Sequence, residues 1–125
     1  MTAGRRWDSG RVTDPADLTA GRARADELLR RLADDEAGAD AFLAELTEVR
    51  DLAFVGAGLT AIARSEGRQL PPAQRAQAAT RQVHLGALRD RSRTDPAGLR
   101  FWLRRAAEEV QLLRRLREAA DRLAG

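Results

Sequence analysis

Apolar residues recur along this chain every three or four positions and almost nowhere at every second one. That spacing lines up one side of an α-helix, and no stretch alternates long enough to suggest a strand. The pattern predicts an all-α fold with four helices, over about 15–36, 40–66, 72–91 and 96–123. The first turns Leu18, Ala25, Leu28, Leu29 and Leu32 inward. The second carries Phe42, Leu46, Val49, Ala53, Gly56, Leu59 and Ala63, widened by Leu43, Leu52 and Ile62. The third has only a thin seam of Ala76, Ala79, Val83 and Ala87.

The fourth helix is richer. One seam reads Leu99, Leu103, Ala106, Val110, Leu113 and Ala120, and a second beside it reads Phe101 or Trp102, then Leu112, Leu116, Ala119 and Leu123. Two adjoining seams are more than a helix packed on one side needs. The expectation is a four-helix bundle forming one domain over residues 14–125, with the spare seam open to a second copy of the chain.

Turn chemistry supports these boundaries. "RVTDPADL" at Arg11–Leu18 and "SRTDPAGL" at Ser92–Leu99 both place Asp before Pro. Asp14 and Asp95 are suited to the N-cap, and Pro15 and Pro96 to the first helical position, where a missing N–H costs nothing. Similarity beyond the shared motif comes from Ala, Arg, Leu and Glu, so composition explains it without duplication. Gly38 reads as a stop, Asp40 as the next cap, and Pro71-Pro72 as the break before the third helix. Residues 1–13, with Trp7 among Arg5, Arg6 and Arg11, read as a flexible N-terminal arm.

Length and composition narrow the choices. The chain has 125 residues, the size of one domain, and contains no Cys, which removes disulfide and thiolate chemistry and suits a reducing compartment. Its longest charge-free run, Leu52–Ala63, falls well short of the roughly 20 residues a membrane span requires. Arg5-Arg6 resembles an export signal, but no apolar stretch follows. The expected location is the cytoplasm. All 22 basic residues are Arg. Residues 12–63 hold five Arg against eleven acids, and residues 64–105 hold ten Arg against three acids, so an acidic half precedes a basic one.

Few motifs carry chemistry. "FVGAGLTA", Phe54–Ala61, matches the glycine spacing of a dinucleotide turn, but that turn needs a feeding strand and a following acid, and nothing acidic lies between Glu66 and Asp90. Gly56 and Gly58 read instead as small residues at a helix contact or a kink. Glu45, Glu48 and Asp51 share a helix face and read as a solvated acidic surface, while Asp34-Asp35-Glu36 reads as a solvated turn at a helix end, unfavourable to its dipole. His84 is the only histidine and has Arg81, not Glu, three residues before it, so no helical metal motif forms. The expectation is no metal and no cofactor. A helical enzyme built around His84 would need a Ser or Thr brought to it through the fold.

The third helix and its flank display Gln74, Arg75, Gln77, Arg81, Gln82, His84, Arg89, Arg91 and Arg93. Gln and Arg can pair with base edges, and Arg also binds phosphate, so these are the candidate nucleic-acid contacts. The competing reading pairs this basic surface with the acidic half of the chain. The leading expectation is a non-enzymatic interaction or adaptor protein, a homodimer or protein binder using Trp102, Leu112, Leu116, Ala119 and Leu123. The alternative is a small DNA-binding regulator reading with the helix at 72–91.

Overall fold

The computed structural model describes residues 14–124, in which every regular element is a helix. There are five of these: α1 (Pro15–Asp34), α2 (Glu36–Ala44), α3 (Val49–Gly67), α4 (Pro72–Arg91) and α5 (Pro96–Ala124). The all-α expectation stands, but the count of four does not. The expectation of a flexible arm falls on residues 1–13, outside the described residues. No helix among the described residues is long and apolar enough to cross a membrane.

Both T-D-P-A segments open helices as their chemistry requires. The Asp14 carboxylate accepts from the Ala16 amide at 2.9 Å, and that of Asp95 accepts from the Ala97 amide at 3.2 Å. The second predicted helix is different. It starts earlier, at Asp35, whose carboxylate accepts from the Gly38 amide at 2.5 Å. Gly38 therefore lies inside the first turn of α2 and stops nothing. Asp35 and Glu36, expected to oppose a helix end, sit where a helix N-terminus favours negative charge.

That helix then breaks at residues 45–48 before α3 begins. The break turns Leu46 into the core, and Arg100 of α5 donates to the Leu46 carbonyl at 3.0 Å, supplying a partner that a continuous helix would have provided. Asp40, expected as the cap, instead binds Arg104.

α1 packs along α3, α3 packs along α5, and α2 bridges α1 and α5. Their shared core holds Leu28, Leu52, Val55, Leu59, Leu103, Val110 and Leu113, all almost fully enclosed. Leu18, expected inside, is 41% exposed near the start of α1. α4 stands apart: it lies against α5 and barely touches α3. A gap between α3 and α4 is the consequence.

Candidate binding cleft

α4 is the outer wall of this gap, and its orientation reverses the expected one. Ala76, Ala79, Val83 and Ala87 are all exposed, Ala79 and Val83 at the edge of the gap, with Val83 69% exposed. The side turned toward α5 is Gln74, Ala78, Arg81, Leu85 and Leu88, of which Ala78 alone is buried. Apolarity is too thinly spread on α4 to choose the inner side, and an ion pair chooses it. Arg81 Nε donates to both oxygens of Glu109 on α5, at 2.8 and 3.0 Å, and Glu109 is only 6% exposed. A buried carboxylate must be matched, so α4 has to bring Arg81 to it.

The cleft between α3 and α4 consists of adjoining hollows that share walls, the two central ones about 250 and 240 Å³ in volume. Small residues of α3 form one side, among them Ala53, Ala57 and Thr60. Ala79, Gln82 and Gly86 of α4 form the other. Trp102, Ala106 and Leu113 of α5 contribute the floor.

Gly56 makes that floor possible: a Cβ there would stand 2.0 Å from Trp102 Cη2, so the indole rests directly on the α3 backbone. Gly58 faces the opposite way, where a Cβ would meet that of Ala25 on α1 at 3.1 Å. The two glycines serve two helix contacts inside one continuous helix. No strand-fed nucleotide turn exists at this position.

Ion pairs tie the other helix contacts together. Across α1 and α3, Asp17 binds Arg50, and Arg24 approaches Asp51 at 3.4 Å. Arg104 of α5 holds Asp40 and, at 3.0 Å, Glu36. Glu66 at the end of α3 accepts from Arg117 at 2.7 Å and Arg114 at 3.0 Å. Burial pushes the Glu66 carboxyl upward, but these two hydrogen bonds outweigh it and hold the group below its ordinary 4.5. Burial likewise works against the Arg104 charge, and its bonds to Asp40 and Glu36 more than restore it. Of these pairs, only those of Arg104 with Asp40 and Glu36 join the acidic half to the basic half.

Arg64 on α3, Arg68 just after its last residue and Arg75 on α4 line the cleft with no carboxylate partner among the described residues. Farther along, Arg89 and Arg93 share the single carboxylate of Asp90, at 3.2 and 3.8 Å. Both walls are therefore cationic above an apolar floor. Sequence reasoning did not single out Arg64, Arg68 or the α3 wall. Ala57 and Ala61, four residues apart and off the main apolar stripe, were the available signal, and Ala53, expected on that stripe, is exposed on the same wall.

The candidate nucleic-acid residues fall on different sides of α4. Arg75, Gln82 and Arg89 line the cleft. Arg81, His84 and Arg91 line a separate hollow of about 330 Å³ against α5, beside Phe101, Arg105 and Glu109. Arg81 is committed to Glu109, and Gln74 is half-buried toward α5, while Gln77 and Arg93 are exposed. No Ser or Thr lines the hollow that holds His84.

The spare seam of α5 also separates. Trp102 is 4% exposed and packs against α3, so it drops out of the spare seam expected on α5, whereas its neighbour Phe101 points outward. Leu112, Leu116 and Ala119 are half-buried, and Leu123 is 90% exposed. No cluster of His, Cys, Asp and Glu among the described residues is arranged to hold a metal. No protein-family model, curated protein or solved structure matches the chain.

Proposed function

We propose that the chain is a non-enzymatic interaction protein that binds another protein, with the α3/α4 cleft as the seat. The observation that carries this reading is the cleft itself, an apolar floor beneath Arg64, Arg68 and Arg75, which no carboxylate of the described residues neutralises, with Arg89 paired to Asp90 at the far end. At other helix contacts the charges are paired, Asp17 with Arg50, Arg24 with Asp51, Glu36 with Arg104 and Glu66 with Arg117. Unmatched cations beside an apolar trough supply both an attraction and an area to bury, the two components of a protein interface.

Other readings draw less support. A recognition helix presents one face to a groove, and the Gln and Arg side chains of α4 are divided between two sides, with Arg81 already engaged. Self-association through α5 loses Trp102 and rests on the half-buried Leu112, Leu116 and Ala119 with the exposed Leu123.

Photo-crosslinking in the native cells tests the proposal. A photoreactive residue at Ala57, in the cleft, is expected to capture a protein, and one at Arg30, 67% exposed on α1, is not. Capture of nucleic acid alone from Ala57, or equal capture from both positions, would overturn the reading.

A further inference from the structure

We infer that the cleft takes an acidic amphipathic helix of a partner protein, an inference that rests on the protein-binding reading above. Both walls of the cleft are helices, and no sheet edge exists among the described residues to pair with an extended peptide. An extended segment laid there would leave its backbone N–H and C=O groups facing side chains, unsatisfied once water is expelled. A helix arrives with those groups already bonded to one another. It also repeats the packing that α5 makes on the inner side of α3.

The dimensions agree. From Arg75 to Arg89 the α4 wall is about 21 Å long, the length of about four turns at 1.5 Å per residue. The walls are built of Ala57, Thr60, Ala79 and Gly86, small enough to admit bulky apolar side chains toward Trp102 and Leu113. Arg64 stands on one wall with Arg68 just past its end, Arg75 and Arg89 stand on the other, and Asp90, bound to Arg89, is the one carboxylate that lines these hollows. A seated helix therefore needs an apolar face with carboxylates on both flanks.

Two competing occupants fit less well. A nucleic-acid duplex would satisfy the arginines but has no apolar face for the floor. A second copy of this chain would bring Asp17, Asp40, Asp51 and Glu66 already bound to its own arginines, and its unpaired acids, Asp34, Glu45, Glu48 and Glu118, lie at the end of α1, in the break after α2 and on α5 rather than along one apolar helix.

The test uses the purified full chain and a fluorescent peptide of about four turns, with Leu on one face and Glu on both flanks. A scrambled peptide and a Lys-for-Glu peptide serve as controls. Anisotropy is expected to report binding of the Glu peptide alone, weakening as salt rises. The pair Arg64→Glu and Arg75→Glu is expected to weaken it at least about tenfold, the effect of roughly 1.4 kcal/mol, as is filling the floor by Ala57→Trp. Arg30→Glu on α1 is expected to leave it unchanged, and circular dichroism checks that every variant is folded.

Equal binding of the scrambled peptide, or an equal loss in Arg30→Glu, would overturn the inference. So would a short duplex that displaces the Glu peptide, or a doubled mass in light scattering that Ala57→Trp returns to 13.7 kDa. Should Ala57 capture a protein while the Glu peptide fails to bind, the acidic-helix inference falls and the protein-binding reading stands.

Discussion

Glu109→Ala is the substitution that most directly probes how the outer wall of the cleft is held. Glu109 is 6% exposed and accepts both of its hydrogen bonds from Arg81, whose side chain keeps 32% exposure. Removing one member of a buried ion pair typically costs about 3–5 kcal/mol, because the other charge is left without a partner. Arg81 retains some access to water, which places the expected cost near the lower end, about 3 kcal/mol. The loss should be local in origin, since Ala78 is the only buried residue that α4 contributes. Replacing both partners by apolar residues of similar length, Arg81→Met with Glu109→Leu, removes the charge along with its desolvation cost. That pair is expected to lie within about 1 kcal/mol of the parent. Urea unfolding of the parent, Glu109→Ala, Arg81→Met and the double replacement measures these differences, and amide exchange should find α4 opening first in Glu109→Ala. A cost for Glu109→Ala below about 1 kcal/mol would refute the idea that the pair fixes α4.

The glycines give a contrast of sign. A Cβ at Gly21 would meet the Phe54 carbonyl oxygen at 2.4 Å, so Gly21→Ala must push α1 from α3 and is expected to destabilise by about 1–3 kcal/mol in thermal or urea unfolding. Gly86→Ala meets nothing closer than an Arg89 terminal nitrogen at 3.7 Å, and is expected to stabilise by up to about 1 kcal/mol through helix propensity. Glu66 should add an acid-sensitive component. Burial raises its pKa, but its bonds from Arg117 and Arg114 hold it below 4.5. Its contribution is therefore complete above 4.5 and lost as the pH falls through the lower folded value. The parent should accordingly lose more thermal stability in that window than Glu66→Gln, which has no such group to titrate; parallel losses would contradict the assignment.

Local chemistry made the helix starts legible. Asp14-Pro15 and Asp95-Pro96 act within a few residues of themselves, and the structure uses both as caps. The heavy apolar stripes of α1, α3 and α5 were legible for the same reason, because Leu28, Leu52, Leu59 and Leu103 leave little choice of inner side. The break after α2 was not, since the Arg100 donor to the Leu46 carbonyl lies 54 residues away in sequence. The rotation of α4 was hidden because its apolar residues are split between two sides, Leu85 and Leu88 toward α5 and Val83 with the alanines away from it. A single long-range pair, Arg81 with Glu109, outweighed Val83 and three alanines. Trp102 and Phe101 were interchangeable by spacing alone, and the gap above Gly56 decides for the larger ring. The cleft itself is a space between elements whose separation depends on how α4 lies against α5, a relation that no segment of the chain encodes alone.

The amide spectrum of the isotope-labelled chain, recorded as the Glu-flanked peptide is added, tests the central claim most directly. Shifts gathered at Ala57, Thr60, Arg64, Ala79 and Gly86, with α1 and α2 little changed, are the expected result. Shifts concentrated on the hollow beside Phe101 and His84, or along the last turns of α5 at Leu116 and Leu123, would contradict it.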